Sequence, residues 1–179
     1  MKKIIIGICS IGSGVGQSVV DSCKFFREKV SLIGLGNNPL AYGAFDCDNY
    51  AIIPSYYDDQ YIIEIEKIIK KHEIQILIPG HDDEALLLAK NHEKLSNIGV
   101  KVLSSPYELV LTCRNKSTYA KNFYEAANYF VKTYKAIDIK NEFFPLIAKP
   151  EQGFASKGIS IITTRDDLEK IEFEPGYIY

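Results

Sequence analysis

The stretch KIIIGICSIGSGVG, residues 3–16, decides the fold. Its first half, residues 3–9, is an apolar run rich in β-branched residues, the pattern of a strand covered on both faces. Its second half, Ser10 to Gly16, is a glycine-rich turn. Lys2, Lys3 and the apolar residues after them imitate a secretory leader. The run is short and broken by Gly7, and a glycine turn follows it where a cleavage site would stand, so a first buried strand is expected instead.

Working outward, the same alternation repeats. A helix fits Gln17 to Lys29, with Val19, Val20, Cys23 and Phe26 on one side. Strands are expected at 30–35, 50–54 and 74–78, and a fifth in VKVLS after Gly99. Between them, Asp58 is placed to cap a helix carrying Ile62, Ile65 and Ile69 through Lys71. Asp82 or Asp83 starts another that runs through Lys94. Strands alternating with helices predict βαβ units and a parallel sheet with the strand at 3–9 in its centre. Such a sheet receives ligands at the carboxyl ends of its strands. Three of those ends, Ser10–Gly16, Gly36–Asn38 and Gly80–Glu84, are polar or glycine-rich and are expected to face one crevice.

The pattern changes near residue 105. Ser105 to Glu108 reads as a capping box opening a helix over 106–113. Asn115 is placed to cap a helix to about Tyr129. Strands are expected over 130–137, 144–148 and 159–163, a short helix at 166–171, and the start of one more strand at Tyr177 to Tyr179 with its edge unpaired and its apolar residues exposed. The reading is of two domains, 1–104 and 105–179.

Composition excludes several classes. Hydrophobic residues make up 46% of the 179, enough to offset ordering entropy, so general disorder is ruled out. Twenty-one Lys plus Arg against 23 Asp plus Glu leave no positive surplus for a generic nucleic-acid binder. The four cysteines form no C-x-x-C pair, which suits a reducing cytoplasm better than a disulfide scaffold. No apolar stretch approaches the ~20 residues that cross a bilayer.

Two glycine-rich turns carry the candidate chemistry. Gly12, Gly14 and Gly16 let a backbone approach a pyrophosphate, as in dinucleotide sites. Gln17 stands where the third fingerprint glycine should fall, and Gly36-Asn37-Asn38 offers no acid for a ribose. A structural turn or a small-substrate contact therefore fits better than NAD. The second turn, Glu151 to Gly158, joins two strand-like runs, and its successive amides can wrap phosphate oxygens. Lys149 ends a buried strand, where an ammonium calls for an anionic partner. Lys116 sits at a helix start, against the macrodipole, and is better used reaching outward. The acidic run His81 to Glu84 reads as helix capping by its aspartates rather than as a metal site, because neighbours on a helix diverge by about 100°.

Taken in order, Asn37-Asn38-Pro39, Ile78-Pro79, Asp83-Glu84-Ala85-Leu86, Arg114-Asn115-Lys116, Phe144 to Pro150, Gly153 and Ser156-Lys157-Gly158-Ile159 make a recognisable series. The chain resembles the front half of the ATP-grasp proteins, such as the large subunit of carbamoyl phosphate synthetase and biotin carboxylase. The resemblance implies a Rossmann-like parallel-sheet domain over 1–104 followed by the first, truncated subdomain of an α+β ATP-grasp domain. It implies ATP held at Lys116, Lys149, Gly153, Ser156, Lys157 and Gly158, with residues 152–158 as a mobile lid. It implies a small-molecule carboxylate substrate near Gly12, Ser13, Gly14, Asp83 and Glu84. Magnesium ligands and the adenine hinge are expected in the C-terminal part of such enzymes, supplied here by a partner chain or a homo-oligomer, and the 179 residues alone are expected to be inactive. Asn115 stands where the family usually has aspartate, and Phe154 and Ala155 where glycines are common. A binding module that kept the fold without the chemistry, and an NAD(P)-dependent oxidoreductase, are the competing readings.

Overall fold

The structure is a computed structural model, and it describes residues 2–123, 131–135, 138–153, 156–170 and 176–179. The chain forms two compact units, Met1–Val110 and Leu111–Tyr179.

In the first unit, five strands form one parallel sheet: β1 (Ile4–Ile8), β2 (Val30–Gly36), β3 (Asn49–Ile52), β4 (Ile76–Ile78) and β5 (Lys101–Val102). Their order is β3-β2-β1-β4-β5, so β1 is central, as its apolar, β-branched run predicts. The order reverses between β1 and β4, which makes their carboxyl ends the switch point of the sheet. Alternation along the strands feeds two cores. Ile6, Ile8 and Leu32 pack with Val20 of α1 (Gly14–Cys23) on one side. Ile33, Leu35 and Leu77 pack on the other with Ile65, Ile68 and Ile69 of α2 (Tyr61–His72), Leu88 of α3 (Asp82–Lys90) and Leu95 of α4 (His92–Asn97).

Local chemistry moves several helix bounds. The first helix starts at Gly14, because the Ser13 hydroxyl accepts from the Gly16 amide, and it ends at Cys23. The tighter turn Lys24–Phe26 then swings Phe26 outward, 53% exposed, so it is not on the buried side. Asp58 closes a turn onto the Gln60 and Tyr61 amides, and α2 begins only at Tyr61. The helix expected through Lys94 is two, broken at Asn91, which ends α3 and precedes α4. The cap of α3 is not an aspartate: His81 Nδ1 accepts from the Asp83 amide.

After α5 (Tyr107–Arg114), the second unit holds α6 (Lys116–Asn122), capped by Asn115, whose Oδ1 accepts from the Thr118 amide. Residues 124–130, where that helix was expected to continue, lie outside the described residues. Strands β6 (Leu146–Pro150), β7 (Ser160–Ile162) and β8 (Tyr177–Ile178) form an antiparallel sheet in the order β7-β6-β8, with α7 (Arg165–Lys170) following β7. Ala148, Ile162, Leu168, Ile139 and Tyr179 form its core.

Two expectations here are corrected. Residues 131–135 join no sheet; instead Tyr134 exchanges both backbone hydrogen bonds with Tyr179, at 2.7 and 3.1 Å. The end at Tyr177 to Tyr179 is neither unpaired nor exposed. The free edge of β6 takes it up, Lys149 opposite Ile178 and Pro150 opposite Tyr177, and Ile178 and Tyr179 are buried.

Candidate functional site

In the first unit the chain leaves β1 through a tight turn. Ser10 takes a left-handed φ of 44°, its carbonyl accepts from the Ser13 amide at 2.8 Å, and α1 begins. The Ser13 hydroxyl also donates to the Gly80 carbonyl at 2.8 Å, which ties this turn to the one after β4. Gly12 and Gly14 are exposed on the turn; Gly16 is buried against it. Across the switch point stand His81 and Asp83. The His81 ring stacks on Tyr56, with centroids 4.9 Å apart, and the Tyr57 hydroxyl donates to Asp83 Oδ2 at 2.7 Å. That bond pushes the Tyr57 phenol up to about 12, since a phenolate beside Asp83 would lose its donor and face a like charge.

Glu84 is placed differently from Asp83. It is 1% exposed, its Oε1 accepts from the Tyr61 hydroxyl at 2.6 Å and its Oε2 from the Gly80 amide at 3.0 Å. Burial raises its carboxyl above the usual range, opposed by the donors Tyr61, Gly80 and Ser10. Burial also pushes the Tyr61 phenol and the neighbouring Cys9 thiol well up. Of the five residues expected at a substrate, Gly12, Gly14 and Asp83 thus lie open or half-open at the switch point, Ser13 is engaged in capping, and Glu84 is enclosed. Tyr61 was missed. A tyrosine on the apolar stripe of an amphipathic helix brings a hydroxyl that requires a buried partner, and that was the available signal.

The second unit assembles the other set. The helix α6 docks on the base of the β6–β7 hairpin through Glu151. The Glu151 carbonyl accepts from the Lys116 amide at 2.9 Å and from Lys116 Nζ at 3.4 Å. Its carboxylate accepts from the Ser117 hydroxyl at 2.5 Å and the Asn115 side-chain amide at 3.4 Å. One guanidinium nitrogen of Arg114 reaches the Gly153 carbonyl at 3.3 Å. Lys149 lies on β6, half-buried, two residues before Glu151, and among the described residues none of the ion pairs involves it. Lys116, Lys149 and Gly153 are therefore gathered at one hairpin, while Ser156, Lys157 and Gly158 return along its exposed far arm. Phe154 and Ala155 lie outside the described residues. Gly158 is required where it stands: at φ +73°, a Cβ there would meet the Tyr177 hydroxyl at 2.7 Å and Pro150 Cγ at 2.9 Å. Glu151 was legible as the acid that opens the loop; its docking against the start of α6 joins residues about 35 apart and left no local signal.

The donor set suits a phosphate chain, with two ammonium groups and a hairpin of small residues. Among the described residues no group of three or more His, Cys, Asp or Glu side chains converges in a way that would hold a metal ion, and no helix is long and apolar enough to cross a membrane.

The family model of the PylC-like, N-terminal domain matches residues 6–103, more than half of the chain. No curated protein matches it in sequence. Solved structures share its fold. The N5-carboxyaminoimidazole synthetase of Staphylococcus aureus, complexed with ADP, is similar at a TM-score of 0.72 and 16% identity, over 99% of this chain and 47% of that one. The biotin carboxylase domain of the Hydrogenobacter thermophilus 2-oxoglutarate carboxylase, with MgADP, ADP and bicarbonate, gives 0.69 and 13%, over 95% and 40%. Pyruvate carboxylase of Rhizobium etli gives 0.69 and 13%, over 99% and 18%. The chain spans less than half the length of each.

Proposed function

The chain belongs to the PylC-like, N-terminal domain family, and from that premise we propose that it is the N-terminal portion of an ATP-dependent carboxylate–amine ligase. In this reading the second unit binds ATP phosphates between Lys116, Lys149 and residues 152–158. The crevice of the first unit, at Gly12, Gly14 and Asp83, contributes to a small carboxylate substrate. The motif order resembles that of the carbamoyl phosphate synthetase large subunit, which forms carbon–nitrogen bonds through an acyl phosphate. The observation that carries the reading is the docking of α6 on the hairpin base, which brings Lys116 to the loop that Lys149 leads into.

Each residue then has a task. The two ammonium groups neutralise phosphate charge, and the hairpin amides wrap the oxygens. Magnesium, when bound, would supply charge stabilisation at the transferring group. Its ligands would be supplied to this chain by a further segment or a partner. The setting is cytoplasmic, as the unpaired cysteines suggest.

The test is a calorimetric titration of ATP against the chain and its Lys149→Met variant. With one side of the nucleotide uncovered, the chain should bind with Kd near ~1 mM. A charged contact is worth roughly 1.5–3 kcal/mol, so the variant should bind about ten- to a hundred-fold more weakly. An unchanged Kd removes Lys149 from the site.

A further inference from the structure

We propose that Glu84 is a positioning residue: its enclosed carboxyl, touching no ligand, pins the Ser10–Gly14 turn to the Gly80 turn and so sets the shape of the crevice between the ends of β1 and β4. The inference rests on reading that crevice as the substrate side of a ligase.

Three acids follow one another at the start of α3, and the fold treats each differently. Asp82 is exposed, Asp83 is half-buried on Tyr57, and Glu84 is 1% exposed. Glu84 points into the sheet's carboxyl edge, where everything polar that meets it is a donor. These are the Tyr61 hydroxyl from α2 at 2.6 Å and the Gly80 amide from the turn after β4 at 3.0 Å, and the Ser10 side chain of the turn after β1 also favours the ionised carboxyl. The other titratable groups facing it are the Cys9 thiol at the end of β1 and the His81 ring before α3. Neither carries the fixed charge of a Lys or Arg.

From Glu84 a line of hydrogen bonds runs outward. The Gly80 amide donates to Glu84, the Gly80 carbonyl accepts from Ser13 Oγ, and Ser13 Oγ accepts from the Gly16 amide at the start of α1. Ser10, in the turn that Ser13 ties to Gly80, has a left-handed backbone that is costly for a residue with a Cβ and persists only where its surroundings fix it. A change of charge at Glu84 therefore alters the donor geometry on both sides of the crevice at once.

Glu84→Gln separates this role from simple packing. The replacement keeps the size but offers one acceptor and one donor pair where the Tyr61 hydroxyl and the Gly80 amide both donate. Tyr61 can turn its hydroxyl around and accept; the Gly80 amide cannot. The variant is expected to fold with the link to one turn rearranged. The experiment is amide NMR of the full 179-residue chain and of this variant across pH 4–9, with hydrogen exchange at fixed pH and no ligand added. In the unaltered chain the Gly80, Ser13 and Gly16 amides should shift together with one midpoint above the ordinary Glu range. In Glu84→Gln that shared midpoint should vanish, and exchange at Ser13 and Gly16 should quicken at least tenfold while the β2 and β3 amides stay unchanged. Uniform quickening across β1–β5 would show a merely structural role and overturn the proposal. So would a shared midpoint that survives in the variant, or Ser13 and Gly16 amides that do not follow Gly80. Because no nucleotide is present, failure here is distinct from failure of the ATP titration, which tests the ligase reading itself.

Discussion

Two glycines two residues apart should respond to the same substitution in opposite directions. A Cβ added to Gly14 meets nothing within 4 Å. A Cβ added to Gly16 meets the Ser10 carbonyl oxygen at 2.9 Å, Ile11 Cα at 3.0 Å and the Ile11 carbonyl carbon at 3.2 Å. All three are backbone atoms of the turn that leaves β1, so no side chain can swing away to relieve the overlap. Overpacking of this kind costs about 1–3 kcal/mol. Replacing glycine by alanine inside a helix returns up to ~1 kcal/mol of propensity, and less at a first position such as Gly14. Gly14→Ala should therefore be neutral or stabilising by ~0.5 kcal/mol, and Gly16→Ala destabilising by ~1–2 kcal/mol. With a urea m value of about 2 kcal/mol/M, the unfolding midpoints should lie ~1 M apart, read by circular dichroism. A Gly16→Ala midpoint equal to or above that of Gly14→Ala would refute the close packing of α1 on the β1 turn.

Gly158→Ala combines a left-handed backbone with overlap onto Pro150 and Tyr177. It should cost ~2–4 kcal/mol in the second unit, measured as faster exchange of the β6 and β8 amides. Asp167 accepts from the Thr163 hydroxyl and from the Thr163 and Thr164 amides, and these bonds hold its carboxyl down to about 2, below the ordinary 3.8. A depressed folded value means that its stabilising contribution is complete above about pH 4 and is lost as pH falls toward 2. Asp167→Asn should flatten that part of an acid-unfolding profile, and an unchanged slope between pH 4 and 2 would count against the contact.

The parallel sheet was legible because β1, β2 and β4 lie in short apolar runs closed by turn signals, and a run largely buried between two layers leaves few alternatives. Helix bounds were less so. The apolar spacing of Leu87, Leu88 and Leu95 continues straight through Asn91, and nothing in that spacing records the break. Capping was misread at α3 because Asp and His can both accept there, and only the geometry shows that His81 does. The pairing of β8 was hidden for a different reason: the edge it completes belongs to β6, more than twenty residues earlier, and local pattern carries no record of a distant ladder. At the site, the lysines were visible as cations in awkward places. The burial of Glu84 was not, because one-dimensional composition sets it beside two exposed or half-exposed acids as an equal.

The arrangement of the second sheet has a consequence for the order in which the protein is made. All five strands of the first sheet have been synthesised once Val102 is in place, and every ladder in it joins residues already present. The central strand of the second sheet has no such independence. Leu146 to Pro150 gain one neighbour when Ser160–Ile162 arrive and the other only with Tyr177 and Ile178, and Tyr134 waits for Tyr179 to close its pair. At a synthesis rate of about 5–20 residues per second, the first sheet has roughly 4–15 s to assemble before the second can be completed. During that interval the lysine-bearing strand stands with an open edge, so a nascent chain is most exposed to wrong pairing at the hairpin that the finished protein uses to gather its cations.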